Sequence, residues 1–407
     1  MKTALLTSVL LLIFFACNTY VPASKTNVSL SYNPEKNELK PEIGFYHISR
    51  DSTMVYLKQA RVELTYDDEL SSRLLFKTEI LPGKESNKLI DSSSVILYDT
   101  LDGNQGNYLM YQKKIELPSG HAYSIKTTVT DLNKEASVWH YHTVSKTDAY
   151  QRRFFKLTDK AGNFRFSNLI DKQDTFRIAY DHADQLTVRY FLKEFKPSRP
   201  PHLNKRKQDT WLKTDSIFTI DLTDGLSPEL QFHRPGIYHI QADTTQKDGL
   251  SLFYFRDNYP LISNPRLMIA PTQYIATSFE FRKIKQNESP KKAIDQFWLK
   301  ITDNPERAKI LIRKYYTRVE HANRMFYTHR PGWKTDRGMI YIVLGPPQLV
   351  YRSNNNETWI YGESAQYNAL KLNFTRVDNP FSNNDFALER SPLYKEEWYF
   401  AIDMWRR

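Results

Sequence analysis

The 407-residue chain reads as a multi-domain, mainly β protein, with two tandem β-sandwiches followed by a C-terminal α+β domain. Three observations predict this. Aromatic residues make up 14% of the chain, with 26 Tyr and 23 Phe against 13 Gly, a balance that suits half-buried strands carrying side chains with one wet end. Short alternating runs separated by turn residues fill the first two thirds without a helical period. After about residue 285 the pattern changes to proline-capped amphipathic stretches. The length is enough for two or three packed cores.

The N-terminus carries its own signal. Lys2 precedes an apolar run from Ala4 to Phe15, and Phe14-Phe15-Ala16-Cys17 ends it at the only cysteine of the chain. Residues 1–16 read as a signal peptide, too short for a bilayer-spanning helix of roughly 20 apolar residues. The tetrapeptide resembles the lipobox of bacterial lipoproteins, in which the signal is cut before the cysteine and the cysteine is acylated, for instance with palmitate. Phe14 stands where that motif usually has Leu. Lipid on Cys17 would leave no thiol for nucleophilic catalysis, disulfides or a thiolate metal site. Residues 17–40 are polar and punctuated by proline, and read as a flexible tether.

Residues 41–147 form the first expected sandwich, with strands at Met54–Leu57, Arg61–Tyr66, Leu74–Ile80, Val95–Tyr98, Tyr108–Leu117, Tyr123–Thr130 and Val138–Val144. Residues 148–262 repeat the grammar at 163–166, 175–180, 186–191, 217–222 and 237–242. A proline-glycine turn followed by Tyr-x-Ile recurs near the end of each, at Tyr123 and Tyr238, 115 positions apart. That distance is about one immunoglobulin-like domain. Between Arg189 and Lys213 lies the densest basic stretch, around Pro197, Pro200 and Pro201, which reads as an exposed loop of solvated charge.

Residues 263–407 are the expected α+β domain. Ser289-Pro290, Asn304-Pro305 and Ser391-Pro392 each place a capping side chain before a first-turn proline. The second opens an amphipathic helix whose core face is Ala308, Leu311, Ile312, Tyr315, Val319, Ala322 and Phe326. It must end by Pro331. Next comes Pro331-Gly332-Trp333-Lys334-Thr335-Asp336-Arg337-Gly338, then the apolar run Met339–Leu344, expected as a buried strand, and Gly345-Pro346-Pro347. Gly332 and Gly338 are expected at positive φ, Thr335 and Asp336 as acceptors of backbone N–H groups, and Trp333 packed over a hairpin that continues to Trp359.

These residues, with Tyr316, Val319, Ala322-Asn323 and Phe326 upstream and Glu357-Thr358-Trp359-Ile360-Tyr361 downstream, closely resemble the signature of the GWxTD domain, over about residues 285–407. The family is found mainly in Bacteroidetes-type envelope proteins, and its name describes residues rather than an activity. Gly332, Trp333, Thr335, Asp336, Arg337, Gly338 and Trp359 are therefore the candidate binding residues, set against a purely structural role for the same turn.

Catalytic patterns are missing. The sequence has no Gly-x-Ser-x-Gly elbow, His-Glu-x-x-His helix, phosphate loop or dinucleotide fingerprint. His140 and His142 share a strand face without a recognisable third metal ligand. Asp67-Asp68 and Glu396-Glu397 are carboxylate pairs that adjacency alone does not aim at one bond. Asp51-Ser52-Thr53, Asp99-Thr100-Leu101, Asp215-Ser216-Ile217 and Asp243-Thr244-Thr245 look like the O-glycosylation motif of exported Bacteroidetes proteins. No catalytic residue, metal or cofactor is assigned.

The net charge of +11 suits an anionic glycan or lipid surface, and export makes nucleic acid the least fitting partner. The expectation is a non-enzymatic lipoprotein, anchored to the outer membrane by lipid at Cys17, facing the periplasm and docking another envelope protein. The alternatives are an envelope hydrolase or glycan-processing enzyme with a site near Asp336, and a carbohydrate-binding module.

Overall fold

The computed structural model describes residues 25–407 apart from 37, 68–70, 84–85, 87, 101–105, 118–121, 146–151, 205–211, 354 and 363–368. The signal peptide, Cys17, Asp68, Leu101, the turn before Tyr123, Lys205 to Lys207 and Asn354 lie outside the described residues.

Seven strands build the first sandwich: β1 (Glu42–His47), β2 (Ser52–Ala60), β3 (Ser71–Leu81), β4 (Asp91–Thr100), β5 (Tyr108–Glu116), β6 (Ala122–Asp131) and β7 (Ala136–Ser145). They pair as two antiparallel sheets, β1-β2-β5 and β4-β3-β6-β7. Alternate residues turn inward, so Val55, Leu57, Leu74, Phe76, Ile125 and Val129 meet in one core. Arg61–Tyr66, expected as a strand, is instead a 3-10 turn at Arg61–Glu63 followed by extended chain. The Arg61 guanidinium is held there by Asp99, to which Tyr66 also donates at 2.8 Å.

The second sandwich uses β8 (Lys156–Asp159), β9 (Phe176–Ala179), β10 (Gln185–Phe191), β11 (Ser216–Asp221), β12 (Gly236–Gln241) and β13 (Leu250–Tyr254). Its larger sheet runs β11-β10-β12-β13, and β8 pairs with β9. Bridges from Phe176 to Leu230 and from Ala179 to Leu226 lay residues 226–230 along β9, as β5 lies along β2. The two sandwiches thus share one connectivity, with β6 and β12 in equivalent places. Tyr123 and Tyr238 are both buried near the start of those strands. The Tyr238 hydroxyl donates to the Arg234 carbonyl at 2.7 Å, the tyrosine corner of immunoglobulin-like sandwiches. Residues 163–166 contribute only an isolated bridge, Thr158 to Phe164. The Phe164 ring leaves the sheet to stack on Tyr56 of the first sandwich, with centroids 4.2 Å apart.

The C-terminal domain opens with four helices, α1 (Pro265–Ile269), α2 (Ser278–Gln286), α3 (Pro290–Thr302) and α4 (Pro305–Met325). Asn264, Ser289 and Asn304 cap three of them ahead of a proline, and Thr277 and Glu280 form a reciprocal capping box on α2. A 3-10 turn at Gly332–Lys334 leads into α5 (Asp336–Leu344). An antiparallel sheet comes next, β14 (Leu349–Arg352), β15 (Asn356–Tyr361), β16 (Leu370–Arg376) and β17 (Phe386–Leu388), and then α6 (Lys395–Trp405). Trp298, Tyr315, Val319, Phe326, Ile340, Trp359 and Trp405 lie at the centre of its core. Among the described residues no helix is long and apolar enough to cross a membrane.

Two segments depart from the expectation set by the sequence. Met339–Leu344 is not a strand but most of α5, because Thr335 caps a helix start immediately before it and the run is buried on every side. Asn27 to Tyr32, read as part of a flexible tether, are held against the protein. The Val28 N–H donates to the Val350 carbonyl at 2.9 Å, and the Tyr32 ring is buried between Phe326 and Trp359.

Candidate functional site

The motif closes a tight joint between α4 and α5, and its polar groups bond inward. Neither Gly332 nor Gly338 has a positive φ; each is required by close approach instead. A Cβ at Gly332 would meet the Ala322 carbonyl oxygen at 2.0 Å, and one at Gly338 the Gly332 carbonyl oxygen at 1.9 Å. Helix α4, the 3-10 turn and α5 therefore stack backbone on backbone.

Asn323 and Tyr259 pin the turn to its neighbours. The Asn323 side chain accepts the Trp333 N–H at 3.1 Å and donates to the Pro260 carbonyl at 3.1 Å. The Tyr259 hydroxyl accepts the Gly332 N–H at 3.1 Å and donates to the Asn323 carbonyl at 2.9 Å. Burial pushes the Tyr259 phenol well above its ordinary range. Trp333 packs edge-on to Tyr274, whose hydroxyl donates to the Trp333 carbonyl at 2.9 Å. The indole thus lies against the start of the helical layer, not over the β14–β15 hairpin.

Thr335 is the N-cap of α5. Its hydroxyl accepts the Gly338 N–H at 3.0 Å and donates to the Gly332 carbonyl at 2.7 Å. Asp336, in the first turn where a carboxylate suits the helix dipole, is 5% exposed. One oxygen accepts the Leu388 N–H at 2.9 Å and the other binds Arg390. Arg390 also donates to the carbonyls of Arg199 and Pro200, each at 2.7 Å. Ser198 reaches the Lys334 carbonyl through both its N–H and its hydroxyl. Part of the basic loop between β10 and β11 is therefore clamped on the motif instead of standing free in solvent.

Arg337 is 1% exposed, flanked by the Phe326 and Phe386 rings. It pairs with Glu357 at 3.1 Å and donates to the Asn384 side chain and carbonyl at 2.6 Å each. Burial alone would raise the Glu357 carboxyl. The Arg337 and Arg352 charges, with hydrogen bonds from Trp359 and Tyr32, outweigh it and hold the group below its ordinary value. Trp359 is fully buried and donates its indole N–H to Glu357 at 2.6 Å.

The structure gathers Gly332, Trp333, Thr335, Asp336, Arg337 and Gly338 at one joint, with Trp359 joined through Glu357. Sequence reasoning missed Arg390, Asn384, Tyr259 and Tyr274. Glu357 had a signal: it alternates with Trp359 along a strand, so the two share a face. The others are supplied by the topology. His140, His142 and the Glu396-Glu397 pair lie apart from this joint, and no group of three potential metal ligands occurs among the described residues.

Fold and site together define a multi-domain chain in which tandem β-sandwiches carry an α+β domain knotted around a buried Gly-Trp-Lys-Thr-Asp turn. Residues 236–407 match the model of the GWxTD domain, so the chain carries a GWxTD domain in its C-terminal part. No curated protein matches it at a significant level. The match starts at the first residue of β12, well before the last domain. Its first strands carry Ile237 and Phe253, which pack with Phe255, Tyr327 and Phe381 into a small apolar cluster joining the second sandwich to the C-terminal domain.

Proposed function

We propose that this chain is a non-enzymatic docking or assembly component of a bacterial cell envelope, anchored to the outer membrane by lipid at Cys17 and facing the periplasm. The observation that carries this reading is the outer surface of the C-terminal domain. Leu393, Phe400 and Met404 are 83%, 63% and 57% exposed, and helical spacing puts Phe400 and Met404 one turn apart on α6. An apolar row of this kind on a charged protein fits a protein partner. A second support is the motif itself, whose buried polar groups engage internal partners and make the domain a rigid base for such a surface. The lipobox-like sequence ending at Cys17 supports the anchor, and the family's envelope association supports the compartment.

The test is affinity purification of the tagged protein from gently solubilised membranes, comparing wild type with Phe400→Glu/Met404→Glu at matched folded yield. A specific envelope protein recovered with wild type and lost in the variant is the expected result. Recovery of wild type alone under cross-linking would overturn the docking role. For the anchor, incorporation of an alkyne-palmitate label should vanish in Cys17→Ser.

A further inference from the structure

We propose that the cleft where the three domains meet binds an extended acidic segment of a partner protein, which adds as a strand to the free edge of β7. This rests on the docking reading above, adds a second contact for the same partner besides the apolar row on α6, and names its chemistry. The cleft holds about 1200 Å³, above the roughly 300–1,000 Å³ of ordinary small-ligand pockets. Its walls come from β7, from the connection around Arg152 and Arg153, from the β12–β13 turn and from the β16–β17 loop.

The edge of β7 faces this space. Tyr141, His142 and Thr143 all line it, and three consecutive residues cannot do so from one face of a strand. Hydrogen-bond parity gives the same answer. The Leu132 N–H donates to the Arg73 carbonyl, so even-numbered residues of β6 face β3 and odd-numbered ones face β7. In the register Ile125 to His142, the even residues of β7 then bond β6, and Tyr141 and Thr143 turn N–H and C=O outward. Among the described residues no backbone group is bonded to them on that side. The Tyr141 hydroxyl is buried and without a hydrogen-bond partner as well.

Charge selects the occupant. Arg152, Arg153, Arg189, Lys247, Arg352 and Arg376 line the cleft against only Asp248, Asp378 and Asp385. Arg152 is paired with Asp248 inside the cleft, Arg352 with Glu357 and Asp385 with Arg330, so the positive excess offered to a ligand rests on Arg189 and Arg376, set against Asp378. Among the described residues the Arg189 Nε has no hydrogen-bond partner, and the Arg376 guanidinium donates only to the neutral Asn383 side chain. Edge addition supplies main-chain hydrogen bonds, and alternate acidic side chains would reach these guanidiniums. A second copy of this chain, at net charge +11, is a poor occupant on the same ground.

The probe is a fluorescein-labelled peptide of alternating glutamate and threonine, titrated into the full chain by anisotropy. Its glutamine-threonine counterpart and an oligogalacturonate serve as competitors. Saturable binding is expected, with hydrogen-exchange protection of the Tyr141 and Thr143 amides. Arg189→Gln/Arg376→Gln should weaken it about tenfold, while Lys291→Gln, on the far helical layer, should not. Equal affinity for the glutamine peptide, no protection on β7, competition by the oligogalacturonate alone, or full affinity in the double variant would each overturn the proposal. If the envelope partner still co-purifies with Arg189→Gln/Arg376→Gln, the cleft assignment fails while the docking role stands.

Discussion

A methyl group at Gly338 would lie 1.9 Å from a backbone oxygen, and one at Gly332 2.0 Å from another. Neither obstacle is a side chain that could swing aside. Gly332→Ala and Gly338→Ala should each lower stability by about 1–3 kcal/mol or more, as overpacking does, whereas Gly106→Ala, with nothing within 4 Å of the new Cβ, should stay within about 0.5 kcal/mol. Urea denaturation of the three variants checks this. The Arg337–Glu357 pair makes a second prediction. Arg337→Met leaves a fully buried carboxylate short of its closest cation, a loss of about 3–5 kcal/mol in comparable pairs. Arg352, Trp359 and Tyr32 still address Glu357, which places the expected loss at the lower end. Adding Glu357→Gln to Arg337→Met should recover part of it, and a double-mutant cycle in urea measures the coupling. A loss near zero in the single variant would mean that the carboxyl simply takes up a proton.

At the scale of elements, caps explain both what the sequence disclosed and what it hid. Thr335→Ala should cost about 1 kcal/mol and leave the Gly332 carbonyl with only the Thr335 N–H of its two donors from that residue, while Thr335→Ser keeps the hydroxyl and should stay close to wild type; thermal melts of both separate capping from side-chain volume. Proline-marked caps made the starts of α3 and α4 legible to the residue, because Ser289 and Asn304 announce them, and for α4 the apolar face then repeats at helical spacing. Most strands of the sandwiches were legible for a similar reason, alternation of apolar and polar residues, but β1, β8 and β13 were missed, and β13 is buried along its whole length and shows no alternation. Helix α5 was not. Met339 to Val343 is buried all round, so neither a period of two nor one of 3.6 is visible, and the deciding signal is the single Thr335 cap. The candidate site was legible as a list of residues but not as a geometry. Asp336 and Arg390 are 54 positions apart, and nothing local to either announces the other. Glycine was read as a conformational need when its role is contact between backbones, which only the packed structure reveals.

Across the whole molecule each domain keeps a buried neutral histidine, and the motif ties two of the domains together. Burial pushes His47 down to about 3, and His239 and His329 to about 4, with nearby arginines adding to the effect. The Nε2–H of His239 donates to the Lys247 carbonyl at 3.0 Å, and in the neutral ring that burial favours, Nδ1 accepts from the Ser251 hydroxyl at 2.9 Å. A base whose folded value is depressed is protonated first in the unfolded chain. The stability it contributes is therefore complete above the unfolded value near 6.5 and lost as pH falls through the folded value. Urea midpoints should decline steadily from pH 6.5 to 4, and His239→Gln should flatten part of that slope. The tie between domains runs through Arg390. One guanidinium holds Asp336 of the motif and the carbonyls of Arg199 and Pro200 from the second sandwich, next to the Ser198 N–H bonded to Lys334. Arg390→Ala removes the fork and leaves Asp336 buried with only the Leu388 N–H. Exchange of the Ser198 amide should accelerate, and the unfolding transition should broaden as the second sandwich and the C-terminal domain separate in stability. Arg390→Lys keeps the charge but cannot span both partners, so it should restore most of the Asp336 contact and little of the Ser198 protection. Unchanged exchange in both variants would place the coupling in the apolar cluster around Phe253, Tyr327 and Phe381 instead. That contrast bears on the proposed docking role: a charged fork can be released by a partner's acidic group, whereas the apolar joint fixes the second sandwich to the C-terminal domain.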